Sequence, residues 1–448
     1  MKRMLKRGLV WGFLGLVGLG ATMPSLAWDK GNLADYHGRR AQLVRETRDG
    51  VVVLFGYSED EIAVSTVEFR QNEMFYYLTG WNQPDAILLL VPKPTPEPSK
   101  GGPAEIDKEI LFIPPHDYRA EKWTGPKLGP DDPEAKTETG FPTVMSKALF
   151  PSVLNEALKT FPVIYTETTP QPESGEDHFI EAAAAKLKAL APIAAFRNLR
   201  PTLTRMRAVK SPGEIALMRK AVDASVEAHL AAMKAVKPGM GEYEIAALME
   251  YEYMRRGCEW PSYPPIVGSG FYSTVLHYES DSRQMQDGDV VVMDVAGSYS
   301  GYASDITRTL PANGHFTERQ REIYEIVYGA QEAAFKGAKP GVTAGELNRI
   351  ARDFINSHGK DKNGQTLGQY FIHGLSHSVG LNVHDPMDYS EPLQPGMIIT
   401  VEPGIYIPEE KIGVRIEDMI LITPEGSELL TKLLPRKADE VERVMARE

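Results

Sequence analysis

Two apolar runs on either side of a short turn-rich segment constrain the fold of this chain most strongly. The segment is 297–302, and each flanking run contains one aspartate, Asp294 before it and Asp305 after it. Apolar runs that flank turn residues predict an antiparallel hairpin. The two aspartates are equally distant from the midpoint between Tyr299 and Ser300. In a regular hairpin they would therefore face each other directly, with their Cβ atoms ~5 Å apart.

Such a pair of carboxylates requires a physical explanation. Asp294 stands between Met293 and Val295, where a free carboxylate is costly to bury. Two opposed carboxylates also repel each other unless they share a proton or a cation, and a bound cation removes both penalties. Aspartate at the end of a strand is, however, also a common turn former. The pair alone therefore leaves both interpretations open.

Three later segments add residue types that bind metals. One of them places three of the ten histidines within twelve positions: His373, His377 and His384. Histidine is the commonest side-chain metal ligand and can also stabilise an oxyanion. Glu402 ends an apolar run directly before a Pro-Gly turn, and Arg415 and Glu417 are two residues apart, hence on one face of a strand.

The candidate ligands form a hard, oxygen-rich set of four carboxylates and one imidazole: Asp294, Asp305, His377, Glu402 and Glu417. This set suits manganese, cobalt or zinc in a two-metal site better than a structural zinc site, which would use thiolates. Cys258 is the only cysteine of the chain. We therefore predict two divalent metal ions.

The chain from about residue 36 to 436 resembles the Xaa-Pro aminopeptidases (aminopeptidase P), a family of pita-bread metallopeptidases. That family has an Asp, a second Asp eleven residues later, a His in HGxxHxxGxxxHD, a Glu in VEPG(I/L)Y and a Glu in GxRIED. All five positions are present here at matching spacing. Residues 70–80, and the spaced Glu121, Trp123, Gly125 and Gly129, resemble the amino-terminal domain of the same family.

The resemblance implies a role for each candidate ligand. Asp305 and Glu417 would bridge both metals, Asp294 would complete one site, and His377 and Glu402 would complete the other. Manganese is the expected metal, with zinc and cobalt as alternatives. Substrates would be peptides with proline in the second position, because a site shaped for the proline ring can select a residue that lacks an amide hydrogen and fixes its own φ.

The resemblance also implies the catalytic and substrate-binding residues. Glu402 would take and return the proton, while His277 and His384 would act on the carbonyl oxygen before proline and on the tetrahedral intermediate. His277 follows a Gly-Ser-Gly turn, as in the family. The residues expected to bind or line the substrate cleft are His373, Arg415 and Tyr406.

The predicted fold has two domains after a short leader. Residues 28–203 contain apolar runs typical of buried strands, and the resemblance identifies them as a smaller α/β creatinase-like domain. Residues 204–448 predict an α+β unit, which by resemblance is a pita-bread domain with a curved antiparallel sheet. Ser211, Pro212 and Glu214 form a capping box with proline at the first helical position.

Residues 1–27 have the order of a secretory signal peptide: a basic start, an uncharged stretch and a small-x-small site that ends at Ala27. An uncleaved membrane anchor is the alternative, since the uncharged run reaches the ~20 residues needed to span a bilayer. Cleavage would remove four basic residues and no acidic one, so the net charge would change from -12 to -16. We expect an exported, periplasmic or secreted protein that does not bind nucleic acid and is not held in the membrane after cleavage.

Two alternatives to the aminopeptidase stay open. A prolidase-like dipeptidase is close, although its corresponding segment usually reads HGLGH, whereas residues 373–377 read HGLSH. A catalytically inactive peptide-binding member is the other, and the complete ligand set argues against it. Relatives are commonly dimers or tetramers, so a homo-oligomer is expected.

Overall fold

The computed structural model describes residues 31–58, 69–94, 105–168 and 175–446. The predicted signal peptide, residues 1–27, lies outside the described residues. Within these described ranges, no helix combines the length and the apolar character needed to cross a membrane.

The first unit is built on a six-stranded mixed sheet with the strand order β4-β3-β2-β1-β5-β6. β2 runs antiparallel to its neighbours β1 and β3, whereas the other neighbouring pairs are parallel. The two apolar runs that flank the proline-rich segment 92–103 therefore pair as neighbouring strands. The strands are β1 (Val51–Phe55), β2 (Ile87–Pro92), β3 (Ile106–Ile113), β4 (Thr143–Ser146), β5 (Val163–Thr166) and β6 (Ala195–Asn198).

Alternate residues of β1 belong to two different hydrophobic cores. Val51 and Val53 pack in a core on one face of the sheet, together with Phe150 and Leu154. Val52, on the opposite face, belongs to the large core that continues into the second unit. The helices of the first unit are α1 (Leu33–Glu46), α2 (Glu73–Thr79), α3 (Glu121–Thr124), α4 (Ala135–Thr139), α5 (Phe150–Leu158), α6 (Gly175–Leu190) and α7 (Arg200–Ala208).

The second unit begins with the predicted capping box. The Ser211 hydroxyl accepts a hydrogen bond from the Glu214 backbone, and the Glu214 carboxylate accepts one from the Ser211 backbone. The predicted boundary at residue 203 stays a prediction, and α7 runs across it. The helices of this unit are α8 (Pro212–Ala235), α9 (Glu242–Met254), α10 (Glu318–Gly337), α11 (Ala344–His358) and α12 (Ala438–Met445).

Every strand pairing described in the second unit is antiparallel, which confirms the predicted α+β unit with an antiparallel sheet. Arg415 ends one strand and Glu417 lies between that strand and the next, so the two residues expected on one strand lie at a break between β14 and β15. The strands are β7 (Trp260–Pro261), β8 (Ile266–Ser269), β9 (Val290–Asp294), β10 (Gly297–Ser298), β11 (Thr307–Pro311), β12 (Ile398–Val401), β13 (Gly404–Ile407), β14 (Ile412–Arg415), β15 (Asp418–Thr423) and β16 (Gly426–Leu429).

The predicted hairpin between β9 and β11 exists, but its turn is one residue further along the chain. Tyr299 and Tyr302 exchange backbone hydrogen bonds of 2.9 and 3.0 Å around a two-residue turn. The central residues of the turn, Ser300 and Gly301, have φ angles of 50° and 78°. Two successive positive φ angles are typical of a type I′ turn, whose twist matches that of the flanking strands.

This turn changes the register of the hairpin by two residues. Asp294 pairs with Thr307, so the expectation that Asp294 directly faces Asp305 is wrong. Asp305 precedes Thr307 by two residues and therefore lies on the same side of the hairpin as Asp294, diagonally across from it. The two carboxylates still point toward one site.

Candidate active site

The pairing of three neighbouring β segments brings three predicted site residues together. Thr307 pairs with Asp294 on one side and forms a β-bridge with Glu417 on the other. The Thr307 hydroxyl donates a hydrogen bond of 2.6 Å to Glu417 Oε2. Because Asp305 lies on the same side of these paired segments, the sheet register itself gathers Asp294, Asp305 and Glu417.

His377 reaches the same site from the loop after α11. Its backbone is bound to Thr400 of β12 by two hydrogen bonds, one to the Thr400 backbone N–H and one to the Thr400 hydroxyl. This arrangement places His377 Nε2 3.3 Å from Asp305 Oδ2 and 3.3 Å from Glu402 Oε1. Glu402, two residues after Thr400, accepts a hydrogen bond of 3.1 Å from the Thr400 hydroxyl.

The residues suited to hold a metal fall into a tight group and two flanking carboxylates. Asp305, His377 and Glu417 each offer one ligand atom, and these atoms lie within 4.8 Å of one another. Asp294 Oδ2 is 2.7 Å from Arg415 Nη2. Glu402 lies beside this group, with its Oε1 3.3 Å from His377 Nε2. All five predicted ligands therefore converge on one site, although Asp294 is paired with an arginine.

The ring of His377 has the orientation expected of a metal ligand. Its Nδ1 lies 3.2 Å from the carbonyl oxygen of Ser378, which can only accept a hydrogen bond. Nδ1 therefore carries a proton, and Nε2 faces the carboxylates. A backbone carbonyl that fixes the tautomer in this way is the usual outer partner of a ligating histidine.

Burial and mutual repulsion shift the pKa values of the carboxylates upward. Burial raises the pKa of Glu402 to about 7, with Asp305 adding to the shift and His377 opposing it. Burial, followed by the charges of Asp305, Glu402 and Asp294, raises the pKa of Glu417 well above its ordinary value. Burial also raises the pKa of Asp294, against the opposing charge of Arg415. Four carboxylates thus face only two side chains that can carry positive charge, Arg415 and His377. This excess of negative charge favours binding of divalent cations.

The five ligand-type residues line a cleft of about 470 Å³. His277, His373, His384 and Arg415 line the same cleft. His277 and His384 are exposed, and the His384 ring stands perpendicular to that of His377, with ring centroids 4.4 Å apart. Partial desolvation of its ring and the charge of the neighbouring His377 lower the pKa of His384. The residues predicted to act on the substrate therefore surround the candidate metal ligands, with the exception of Tyr406.

Tyr406 is buried beneath the cleft and joins two of its lining residues. The Tyr406 hydroxyl lies 2.8 Å from His373 Nε2 and 2.9 Å from Arg415 Nη1. His373 Nδ1 lies 2.8 Å from the Gly374 carbonyl and must donate to it, so Nε2 accepts from Tyr406. Burial, followed by the charge of Arg415, lowers the pKa of His373 to about 4, which keeps the ring neutral at pH 7. This geometry gives Tyr406 a positioning contact, and its predicted substrate contact stays a prediction.

Three residues of the site were not predicted from the sequence. Tyr263 donates a hydrogen bond of 2.5 Å to Asp294 Oδ1, and no sequence pattern indicated it. Thr307 and Thr400 could have been found, because each lies two residues from a predicted ligand on a strand or its extension. Side chains two residues apart share a face of a strand, so a hydroxyl there is in reach of the carboxylate.

Comparison with known proteins agrees with this geometry in both units. The model of metallopeptidase family M24 matches residues 216–424, and the model of the aminopeptidase P N-terminal domain matches residues 36–165. The Xaa-Pro aminopeptidase of Escherichia coli strain K12 is 36% identical over 446 residues, covering 92% of this chain and 97% of the relative. A Xaa-Pro dipeptidase of Pyrococcus horikoshii is 44% identical over 252 residues, covering 55% of this chain and 69% of the relative.

A solved structure extends the similarity to the fold. The zinc-substituted aminopeptidase P of Escherichia coli in complex with product has a TM-score of 0.78 and 34% identity, covering 93% of this chain and 99% of that chain. The fold and the site thus define a peptidase of metallopeptidase family M24, with the predicted two-domain pita-bread architecture. Within that family, the chain belongs to the Xaa-Pro aminopeptidases (aminopeptidase P).

Proposed function

We propose that this protein removes the N-terminal residue from peptides with proline in the second position, with the help of two divalent metal ions. The observation that carries the proposal is the convergence of the five ligand-type residues in one cleft, in a chain that matches an Xaa-Pro aminopeptidase along nearly its whole length. Similarity confined to the second unit would support only the metallopeptidase class.

The residues present fit a pair of divalent ions. Their ligand atoms are carboxylate oxygens and one imidazole nitrogen, which suit manganese, zinc or cobalt, and manganese is the metal we expect. Asp305 and Glu417 would contact both ions, Asp294 one of them, and His377 with Glu402 the other. When bound, such ions polarise a carbonyl and lower the pKa of a water molecule toward neutrality.

The residues around the ligands provide the proton transfers and the orientation of the substrate. Glu402, whose Oε1 lies 3.3 Å from His377 Nε2 at the cleft, would be the proton acceptor and donor. His277 and His384 are exposed to the cleft and can hold the carbonyl oxygen of the residue before proline. His373, held by Tyr406 and kept neutral, would border the proline ring with a surface that carries no charge.

The amino-terminal segment supports a proposal about the cellular setting. We propose that the protein is exported after cleavage near Ala27, and that its substrates are peptides outside the cytoplasm. A homo-oligomer, dimer or tetramer, is part of the same proposal.

A prolidase-like dipeptidase is the second candidate, and the local identity of 44% to a Xaa-Pro dipeptidase favours it. That similarity covers 55% of this chain, however. The first unit matches instead the aminopeptidase P N-terminal domain over residues 36–165. Because the first unit distinguishes the two candidates, we favour the aminopeptidase.

Three peptides distinguish these candidates with the manganese-loaded protein. We expect hydrolysis of Ala-Pro-Ala at its first bond, much slower hydrolysis of the dipeptide Ala-Pro, and none of Ala-Ala-Ala. Preference for Ala-Pro over Ala-Pro-Ala would identify a dipeptidase. Equal rates with Ala-Pro-Ala and Ala-Ala-Ala would refute the proline requirement.

A further inference from the structure

Residues outside the catalytic unit hold the loop between His377 and His384. The Leu381 carbonyl accepts a hydrogen bond of 2.6 Å from Arg70 Nη2, just before α2. Asp385, buried at the end of the loop, is 2.5 Å from Arg207 Nη2 and 3.3 Å from Lys210 Nζ. The loop that carries His384 is therefore fixed by the first unit and by the segment joining the units.

One chain of hydrogen bonds leads from the first unit to the backbone of His384. Asn382 Nδ2 donates a hydrogen bond of 2.8 Å to Glu73 Oε1, and the His384 N–H donates one of 2.9 Å to Asn382 Oδ1. A carboxylate can only accept, so the amide nitrogen of Asn382 must face Glu73. The carbonyl end of the same amide is thereby directed at His384.

Glu73 is itself held in place by two cations. Its carboxylate oxygens lie 3.1 Å from Arg70 Nη2 and 3.3 Å from Arg207 Nη2. It also occupies the first turn of α2, where a negative charge is favourable. An acceptor that is fixed by two partners can orient a neutral amide without moving itself.

We propose that Glu73 is a positioning residue for the active site: it orients the Asn382 amide, which fixes the backbone of His384 at the cleft. The inference rests on the proposed function, in which His384 acts on the carbonyl oxygen. In this role the first unit contributes to turnover without contacting the substrate. A misplacement of about 1 Å at a catalytic group can lower a rate by up to ~10²-fold, even when the substituted residue lies far from the chemistry.

The substitution Asn382→Asp tests the link with little change in volume. It places a second carboxylate at hydrogen-bond distance from Glu73, and the two charges repel. In the manganese-loaded protein we expect a loss in kcat of about tenfold on Ala-Pro-Ala, because His384 is displaced from its position at the cleft. We also expect the amide of His384 to exchange with solvent about fivefold faster or more, because its acceptor moves.

The double variant Glu73→Gln/Asn382→Asp reverses the donor and the acceptor of the same hydrogen bond. The new amide can donate to the new carboxylate, which still accepts from His384. We expect kcat and the exchange rate of the His384 amide to return to within about threefold of the original protein. A role limited to stability would lower the Tm without this recovery of kcat.

The matched control is Tyr76→Phe, which removes a different hydrogen bond between the units, from the Tyr76 hydroxyl to the Ser300 carbonyl at 3.4 Å. It should change neither kcat nor the exchange of His384. The inference is overturned if Asn382→Asp leaves both readouts unchanged, or if the double variant is as impaired as the single one. If the original protein did not cleave Ala-Pro-Ala, the proposed function would fail, and amide exchange would still test the link.

Discussion

Buried acidic side chains behave in opposite ways at the junction of the two units and in the cleft. At the junction, Arg207 and Lys210 lower the pKa of Asp385 although burial opposes them. In the cleft, burial and neighbouring carboxylates raise the pKa of Glu417. The junction satisfies its charge within the protein, and the cleft gathers negative charge that favours an added cation. The balance of charge thus distinguishes a structural cluster from a functional one.

The largest effect is expected from removing Asp305, a carboxylate proposed to hold both metal ions. Asp305→Ala should lower kcat/KM by ~10³-fold or more, because loss of an outer partner alone costs 10–100-fold. Metal analysis should find fewer ions bound per chain. Asp353→Ala, an exposed aspartate on α11, is the control and should retain both properties. Full activity and full metal content in Asp305→Ala would show that the site is assigned wrongly.

Removing the junction carboxylate should affect stability. Asp385→Ala removes the carboxylate that the buried Arg207 and Lys210 share and leaves Arg207 with Glu73 alone, and breaking such a cluster costs about 3–5 kcal/mol. Urea unfolding should report this loss of unfolding free energy. Asp388→Ala, at an exposed residue nearby that accepts a hydrogen bond from the Ser390 backbone, should cost far less. If Asp385→Ala lowered the unfolding free energy by less than about 1 kcal/mol, the junction would not differ from the cleft in the way described.

The equivalent change in the cleft should have the opposite sign. In chelator-treated protein at pH 8, Glu417→Gln should raise the unfolding free energy, because burial and the neighbouring carboxylates raise the pKa of Glu417 and so penalise its ionised form. The new amide oxygen can still accept from Thr307. Thermal unfolding measures the change, and added manganese should remove the advantage. A lower Tm in the chelator-treated variant would contradict the conclusion that the metal-free cleft carries excess negative charge.

The pH dependence of stability follows from the same shifts. The pKa of Glu402 is raised from 4.5 to about 7, and that of His377, against burial and through Asp305 and Glu402, from 6.5 to about 9. In both cases the folded chain binds more protons than the unfolded chain between these values, so stability falls as pH rises. Chelator-treated protein should lose Tm from about pH 4.5 to 9. Glu402→Gln should reduce the fall of Tm below pH 7. A Tm that stays constant over this range in the original protein would refute the raised pKa values.

The smallest effect is expected at Tyr406. Tyr406→Phe removes one hydroxyl that joins His373 and Arg415, and a single hydrogen bond contributes about 0.5–1.5 kcal/mol, or about 2- to 12-fold in rate. We expect kcat/KM to fall within that range, with metal content unchanged. A loss of several hundredfold would instead indicate a direct contact with the substrate.

Helix boundaries and the ligand set could be read from the sequence because both depend on local patterns. The capping box at Ser211 determines the start of α8 within the chain segment itself. The five ligand-type residues were found because each ends or interrupts an apolar run, where a charge demands a partner.

The parts that could not be predicted depend on geometry between distant segments. The hairpin register was missed by two residues because Ser300 adopts the left-handed region, which is uncommon for a residue other than glycine. Tyr263 and Glu73 reach the site or its loop across large separations in sequence, and nothing in their own segments indicates the partner. Periodicity assigns a residue to a face but does not tell which segment packs against it.

Metal titration of the chelator-treated protein, with rate and stoichiometry followed together, tests the central claim most directly. The cleft is predicted to bind two manganese ions per chain, and hydrolysis of Ala-Pro-Ala should rise from near zero to saturation as they bind. Full hydrolysis without metal, or a maximal rate reached with no ion bound at these residues, would contradict the claim that the cleft is a two-metal active site.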